Sequence, residues 1–419
     1  MKNVWVLVIG LFYCFQLFSQ DSTLAVTKYN MDSLMLAMQQ EAQQQASEER
    51  AMLLKKLATS PSDSTFRLNI ENLYFDELPD ISRFKNITAI NAENNLLKSI
   101  KKSSLSSDSL KKINLSGNHL KKIHFPKNNS IKSLVLNRNN FKKIPRSIKN
   151  LKDLQNLEIS DNQIKRIPHF LKKNKKLTSI DLNYNQVHFN KKAVKNLINI
   201  KTLLLGGNGL VSIPENIGSL QNLRKLNLGK NQLNSLPASF SELDSLTNLI
   251  FYQNGFTEIP PEIGFLKNLV ELDFYYNQLT EIPPEIGGLT KLKQLFLSFN
   301  QIKGLPDTLQ NLSNLKYLFV HHNELTIMPN WIGQMETIER MDISYNHIVF
   351  MPSLSGMKAL AELDVQDNVL ENFPWELIDK PSMKLLIVKN NNFILTKEEE
   401  KMLHDWKNDG ESDGLVIIF

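Results

Sequence analysis

Fourteen asparagines recur along this chain at an almost fixed interval, and that interval decides what the chain can fold into. They are Asn95, Asn118, Asn139, Asn162, Asn185, Asn208, Asn231, Asn254, Asn277, Asn300, Asn323, Asn346, Asn368 and Asn391. Eleven of the thirteen intervals are 23 residues, one is 21 and one is 22. Each asparagine lies in the frame L-x-x-L-x-L-x-x-N-x-L, as in Leu223, Leu226, Leu228, Asn231 and Leu233. Seven or more repeats continue with an apolar residue and proline, as in Ile213-Pro214, Leu236-Pro237, Ile259-Pro260 and Ile282-Pro283. So short a unit cannot bury its own apolar side, so only a stack of such units is stable.

The residue types explain the spacing. In an L-x-L strand both leucines face one side and the residue between them faces the other. Each repeat adds one parallel strand, about 4.8 Å from the last. The turn after the strand leaves backbone groups pointing inward, where an unpaired one costs roughly 1–3 kcal/mol. An asparagine amide both donates and accepts, so it can satisfy those groups in neighbouring coils. The proline fixes φ and ends the extended segment. Apolar steps such as Ile263, Leu266, Ile286 and Leu289 then anchor the outer side in short helical turns.

Over residues 66–395 this frame resembles the leucine-rich-repeat family, in its 23-residue class with an Ile/Leu-Pro step, of exported bacterial type. The resemblance implies an α/β fold: a right-handed solenoid of about fifteen repeats, with a curved parallel sheet on the concave face and short helical or irregular segments on the convex face. It also implies partner binding on the concave face without catalysis. Three departures stand out. Leu73 occupies the asparagine position of the first repeat, as suits a coil with none before it to bond. The repeat of Asn185 reads Val187-His188-Phe189-Asn190 in place of the proline step, and the 21-residue interval before Asn139 shortens the convex loop near Phe125-Pro126-Lys127.

Outside the repeats, residues 1–20 read as a secretory signal: Lys2, an apolar run from Val4 to Phe18, then Ser19. Cys14, the only cysteine, lies in that run behind Leu11-Phe12-Tyr13, too bulky for a lipidation signal. A mature chain would lack disulfides and thiolate metal sites, have no transmembrane segment, and be periplasmic, cell-surface or secreted. Residues 21–65 read as a helical or flexible segment, with Asp32 capping a helix through Leu34, Met38, Ala42 and Leu53; spacer and partner-binding helix both fit. Residues 396–419 read as a cap: a helix from Thr396 with Glu399 as its capping-box partner, a polar turn through Gly410 and Gly414, and a strand from Leu415 to Phe419.

The outward columns of the sheet follow from the frame. They hold Tyr252, Tyr275, Tyr276, Phe296, Phe299, Tyr317, Phe319, His321, His322 and Tyr345, expected to form one continuous exposed patch. Such residues are enriched where proteins grip partners. Glu271, Asp273, Glu339, Asp342, Glu362, Asp364 and Asp367 frame them. A second surface is electrostatic. Between Lys85 and Lys201 there are 26 Lys and Arg against 6 Asp and Glu, although the whole chain carries only +6. The pairs Lys121-Lys122, Lys142-Lys143 and Lys165-Arg166 take the same two positions after the asparagine and should form a basic stripe for an anionic ligand.

No catalytic, phosphate-cradling or dinucleotide motif is present, and His321 and His322 lack a third ligand for a metal. The expectation is an exported, non-enzymatic recognition protein without cofactor or metal, holding a protein or peptide ligand on its aromatic concave face. The alternative is a glycan or anionic envelope polymer bound by the basic half. Nucleic acid is not expected, because the aromatics and the lysines lie in different halves of the chain.

Overall fold

The computed structural model describes residues 24–127, 130–409 and 415–419 of the 419-residue chain. The expected signal, residues 1–20, and the turn at 410–414 lie outside the described residues. Among the described residues sixteen short strands, β1 (Phe66–Asn69) through β16 (Val416–Ile418), form one parallel sheet in strict chain order. Register is held coil to coil: Leu272 of β10 (Glu271–Asp273) pairs with Leu249 before it and Leu295 after it. Consecutive parallel strands in one open sheet require a crossover in every coil, and right-handed crossovers build the solenoid. Its leucine, isoleucine and phenylalanine side chains form one uninterrupted core along the described chain.

The asparagines bind coil to coil. Asn231 Nδ2 donates to Leu205 O in the preceding coil (3.1 Å) and to Leu228 O and Gly229 O in its own (2.8 and 3.1 Å). Its Oδ1 accepts the N–H groups of Leu210 and Asn208 (3.0 and 3.1 Å). The same pattern begins at Asn95, which reaches back to Ile70 O and Phe75 N. Leu73 has no earlier coil to reach and is simply buried.

On the outer side the proline step leads into a 3₁₀ turn, as at Pro261–Phe265 and Pro284–Gly288, where the carbonyl of the preceding proline accepts the N–H of the turn's third residue (Ile263 N to Pro260 O, 3.0 Å). The repeat without that step forms instead a short helix, α2 (Lys191–Lys195), capped by the Asn190 side chain on the N–H groups of Lys192 and Ala193. Between β3 (Lys112–Asn114) and β4 (Ser133–Val135), the shortened interval, the described residues form no helical turn.

Both ends are closed. Helix α1 (Leu24–Thr59) extends eight residues upstream of Asp32, so Asp32 lies inside it and not at its start. No glycine or proline interrupts residues 24–60, so nothing local stops the helix until Pro61. Its last turns lie on the first coil: Ala46 and Leu57 are buried, Arg50 stands over the Phe75 ring, and Arg83 donates to the carbonyls of Leu57, Ala58 and Ser60. At the other end, α3 (Lys397–Asp409) opens with the expected capping box. Thr396 N donates to Glu399 Oε2 (2.7 Å) and Glu399 N to Thr396 Oγ1 (3.3 Å). β16 then pairs with β15 (Leu385–Ile387). Among the described residues no helix is long and apolar enough to cross a membrane.

Candidate functional site

In all fourteen repeats the residue just before the ladder asparagine has φ between +51° and +66°. Each strand therefore ends in a sharp left-handed turn, which aims this side chain off the rim of the sheet. Glycine supplies the turn twice, at Gly117 and Gly207; elsewhere a side chain is held in this conformation at a cost of roughly 1–2 kcal/mol. In four consecutive coils that side chain is a ring.

Tyr276, Phe299, His322 and Tyr345 stack face to face, with centroids 4.2, 4.0 and 4.1 Å apart and planes within 22° of parallel. Tyr275 and His321, one residue earlier in their coils, meet this stack edge-on, and Tyr252 extends it beside Tyr275 and Tyr276. Seven of the ten expected residues are thus joined by ring contacts. The other three, Phe296, Phe319 and Tyr317, form a second group inside the strands. Phe296 and Phe319 stack at 5.2 Å, Arg340 lies over Phe319, and the Tyr317 hydroxyl donates to Glu339.

No ring contact joins the two groups, so the rings expected to form one patch fall into two stacked sets. The rings also shield one another. Only Tyr276 and Tyr345 are exposed; Tyr252, Tyr275, Phe296, Phe299, Tyr317, Phe319, His321 and His322 are half-buried. Beneath them Phe251, Phe256 and Phe274 fill the core at centroid separations of 5.0–5.3 Å, so the rings stand on a stiff floor.

The carboxylates around the rings are tied into the surface. Glu339 binds Lys316, Glu362 pairs with Arg340, and Glu271 accepts from Asn248. Asp273, Asp342 and Asp364 each accept the N–H two residues on, at Tyr275, Ser344 and Gln366. Burial pushes Asp273 and Asp364 up to about 6. Asp367 accepts from Asn390 and lies against Tyr345, whose hydroxyl it pushes up. His321 and His322 share a contact between their Nδ1 atoms at 2.9 Å. Burial lowers both pKa values despite nearby Asp342, which favours a neutral pair in which one ring donates to the other. No group of three metal-ligating side chains converges among the described residues.

The basic pairs fall where the frame puts them. Lys121, Lys122, Lys142, Lys143, Lys165 and Arg166 are all exposed on the edge that follows the asparagine turn.

Three sequence-family models match the chain: a leucine-rich repeat region at 175–278, a leucine-rich repeat at 129–187, and single leucine-rich repeats at 268–289 and 291–312. The chain is a leucine-rich-repeat protein. Solved structures share this leucine-rich-repeat fold. A leucine-rich-repeat protein of Leptospira interrogans superposes with TM-score 0.74 at 24% identity, covering 88% of this chain and 98% of its own. An internalin of Listeria monocytogenes reaches 0.58 at 20% identity, covering 75% and 84%. The Arabidopsis receptor kinase HAESA, solved with the peptide hormone IDA and a co-receptor, reaches 0.61 at 23% identity, covering 79% and 63%. No protein of curated function matches the leucine-rich-repeat chain.

Proposed function

We propose that this chain is an exported, non-enzymatic recognition protein that holds an extended segment of a protein or peptide partner on its concave face. The observation that carries this reading is the stack of Tyr276, Phe299, His322 and Tyr345 on a rigid left-handed turn column. Flat, pre-positioned rings offer large contact area at little ordering cost. Asp342, Asp364 and Asp367 border them with acceptors, so the favoured segment presents an apolar or aromatic side chain beside a cation or N–H donor. A structural neighbour that carries a peptide hormone supports the same use of the fold. Export rests on the residues Lys2 to Ser19.

The test is selection from a displayed random-peptide library by the parent and by Tyr276→Asn/Phe299→Asn, since asparagine tolerates the left-handed turn and leaves the coil intact. Peptides enriched by the parent and lost by the variant support the proposal. Identical enrichment by both refutes it.

A further inference from the structure

The basic pairs are part of a groove. Three clefts of about 740, 870 and 780 Å³ follow one another along the same edge, and each shares lining residues with the next. Lys142, Lys143 and Arg146 belong to both the first and the second, and Arg166 and Ile167 to both the second and the third. Lys121 and Lys122 open the run, while Lys172, Lys192 and Lys195 close it where α2 replaces the proline step. No acidic side chain lines any of the three.

Two features separate this groove from an ordinary lysine-rich surface. First, its cations are idle: none of the lysines and arginines just named joins an ion pair or a side-chain hydrogen bond among the described residues. Nearby, Arg138 and Lys176 each do, with Glu93 and Asp153. Second, its floor is apolar, made by Ile144, Pro145, Ile167, Pro168 and the Phe170 ring. Backbone hydrogen bonds from Asn140 to Leu120, Gln163 to Phe141 and His188 to Lys165 lock the coils in register along this edge. The basic pairs consequently repeat once per coil, at a spacing of about 4.8 Å.

We propose that this groove binds a linear acidic polysaccharide, laid along the solenoid axis with one anionic sugar per coil. A pyranose chain advances by about one coil spacing (about 4.8 Å) per residue, so its anions recur in step with the basic pairs as successive rings turn about the chain axis. The apolar face of each ring rests on the isoleucine and proline floor. An extended acidic peptide fits less well. It advances about 3.3–3.6 Å per residue, so its anions fall out of step with the coils. Single-stranded nucleic acid would need a series of stacking rings, and the floor holds one phenylalanine. The groove lies outside the ring stack, so this site is independent of the concave one.

The test uses size-defined oligogalacturonate as probe, titrated calorimetrically into the full chain. The groove variant is Lys142→Gln/Lys143→Gln/Lys165→Gln/Arg166→Gln. A charge-matched control, Lys111→Gln/Lys152→Gln/Lys173→Gln/Lys175→Gln, removes as many cations away from the groove. The groove variant should lose at least about tenfold in affinity and the control less than about threefold, with binding to the parent weakening as salt rises. Polyglutamate of matched charge should bind the parent at least about tenfold more weakly than the sugar. Equal losses in the two variants would reduce the groove to diffuse charge and overturn the proposal. So would polyglutamate that binds as tightly as oligogalacturonate. Tyr276→Asn/Phe299→Asn should leave sugar binding unchanged, which keeps this result separate from the peptide selection.

Discussion

Phe299 offers a sharp test of how the ring stack is held. Its backbone sits at φ +55°, and its ring touches Tyr276 and His322 at 4.2 and 4.0 Å and Tyr275 and His321 at 5.1 and 5.2 Å. Four ring contacts, each at the low end of its range, amount to about 2 kcal/mol. Glycine in its place loses those contacts but relieves left-handed strain of about 1 kcal/mol, for a net loss of about 1–2 kcal/mol. Isoleucine also loses the ring contacts, and its branched Cβ makes the turn worse, for a net loss of about 3 kcal/mol. Glycine should therefore be better than isoleucine by about 1–2 kcal/mol, against the usual hydrophobic ranking. Phe296, in the ordinary strand β11 (Gln294–Phe296), provides the opposite case: isoleucine should be better than glycine there by about 1 kcal/mol. Urea unfolding followed by circular dichroism on the four variants reads the order directly. Isoleucine matching or exceeding glycine at position 299 would refute the claim that the turn conformation governs this column.

Three further outcomes follow from the geometry. Asn231→Ala orphans the buried N–H groups of Leu210 and Asn208 and should lower stability by about 3 kcal/mol, read as a shifted or split denaturant transition. For Asp273, burial raises the folded-state pKa from 3.8 to about 6, so the folded form holds its proton more tightly between those values and stability falls as pH rises through that window. Asp273→Asn can keep the acceptor for Tyr275 N–H, so it should be more stable than the parent near neutral pH and lose that advantage in acid, as denaturation at the two pH values would show. Arg83→Met removes the donor to the last carbonyls of α1, and hydrogen exchange should speed up through the final turns of that helix while β8 (Lys225–Asn227) is unaffected.

The period made the coil, the strand and the asparagine bridge readable from residues alone, because each is a local device repeated in step. It also put Tyr276, Phe299 and Tyr345 at one repeating position of the frame. It did not show that these three share a turn column with His322 while Phe296 and Phe319 do not, since hydrophobic spacing carries no sign of φ. A signal was present nonetheless: none of the fourteen residues before the ladder asparagines is β-branched or proline, as a left-handed position requires. Asp32 misled because a good capping residue looks the same inside a helix as at its start, and nothing upstream interrupts the chain. The groove was invisible for another reason. Lysine spacing gives the pairs, but the apolar floor beneath them and the absence of acidic neighbours arise only when coils are stacked.

The asparagine bridge has a direction: every one reaches back to the coil before it, and Leu73 alone does not. The first coil is thus a foundation, and every later coil is interchangeable in what it asks of its neighbour. A second copy of the 23-residue unit 210–232 inserted directly after Gln232 would find its carbonyls waiting and would offer the same carbonyls onward. The aromatic stack and the basic groove would then move apart by one strand spacing, each unaltered. The chain works as a graduated ruler on which the ring stack and the groove are mounted, and their separation can change by whole divisions without redesign of either.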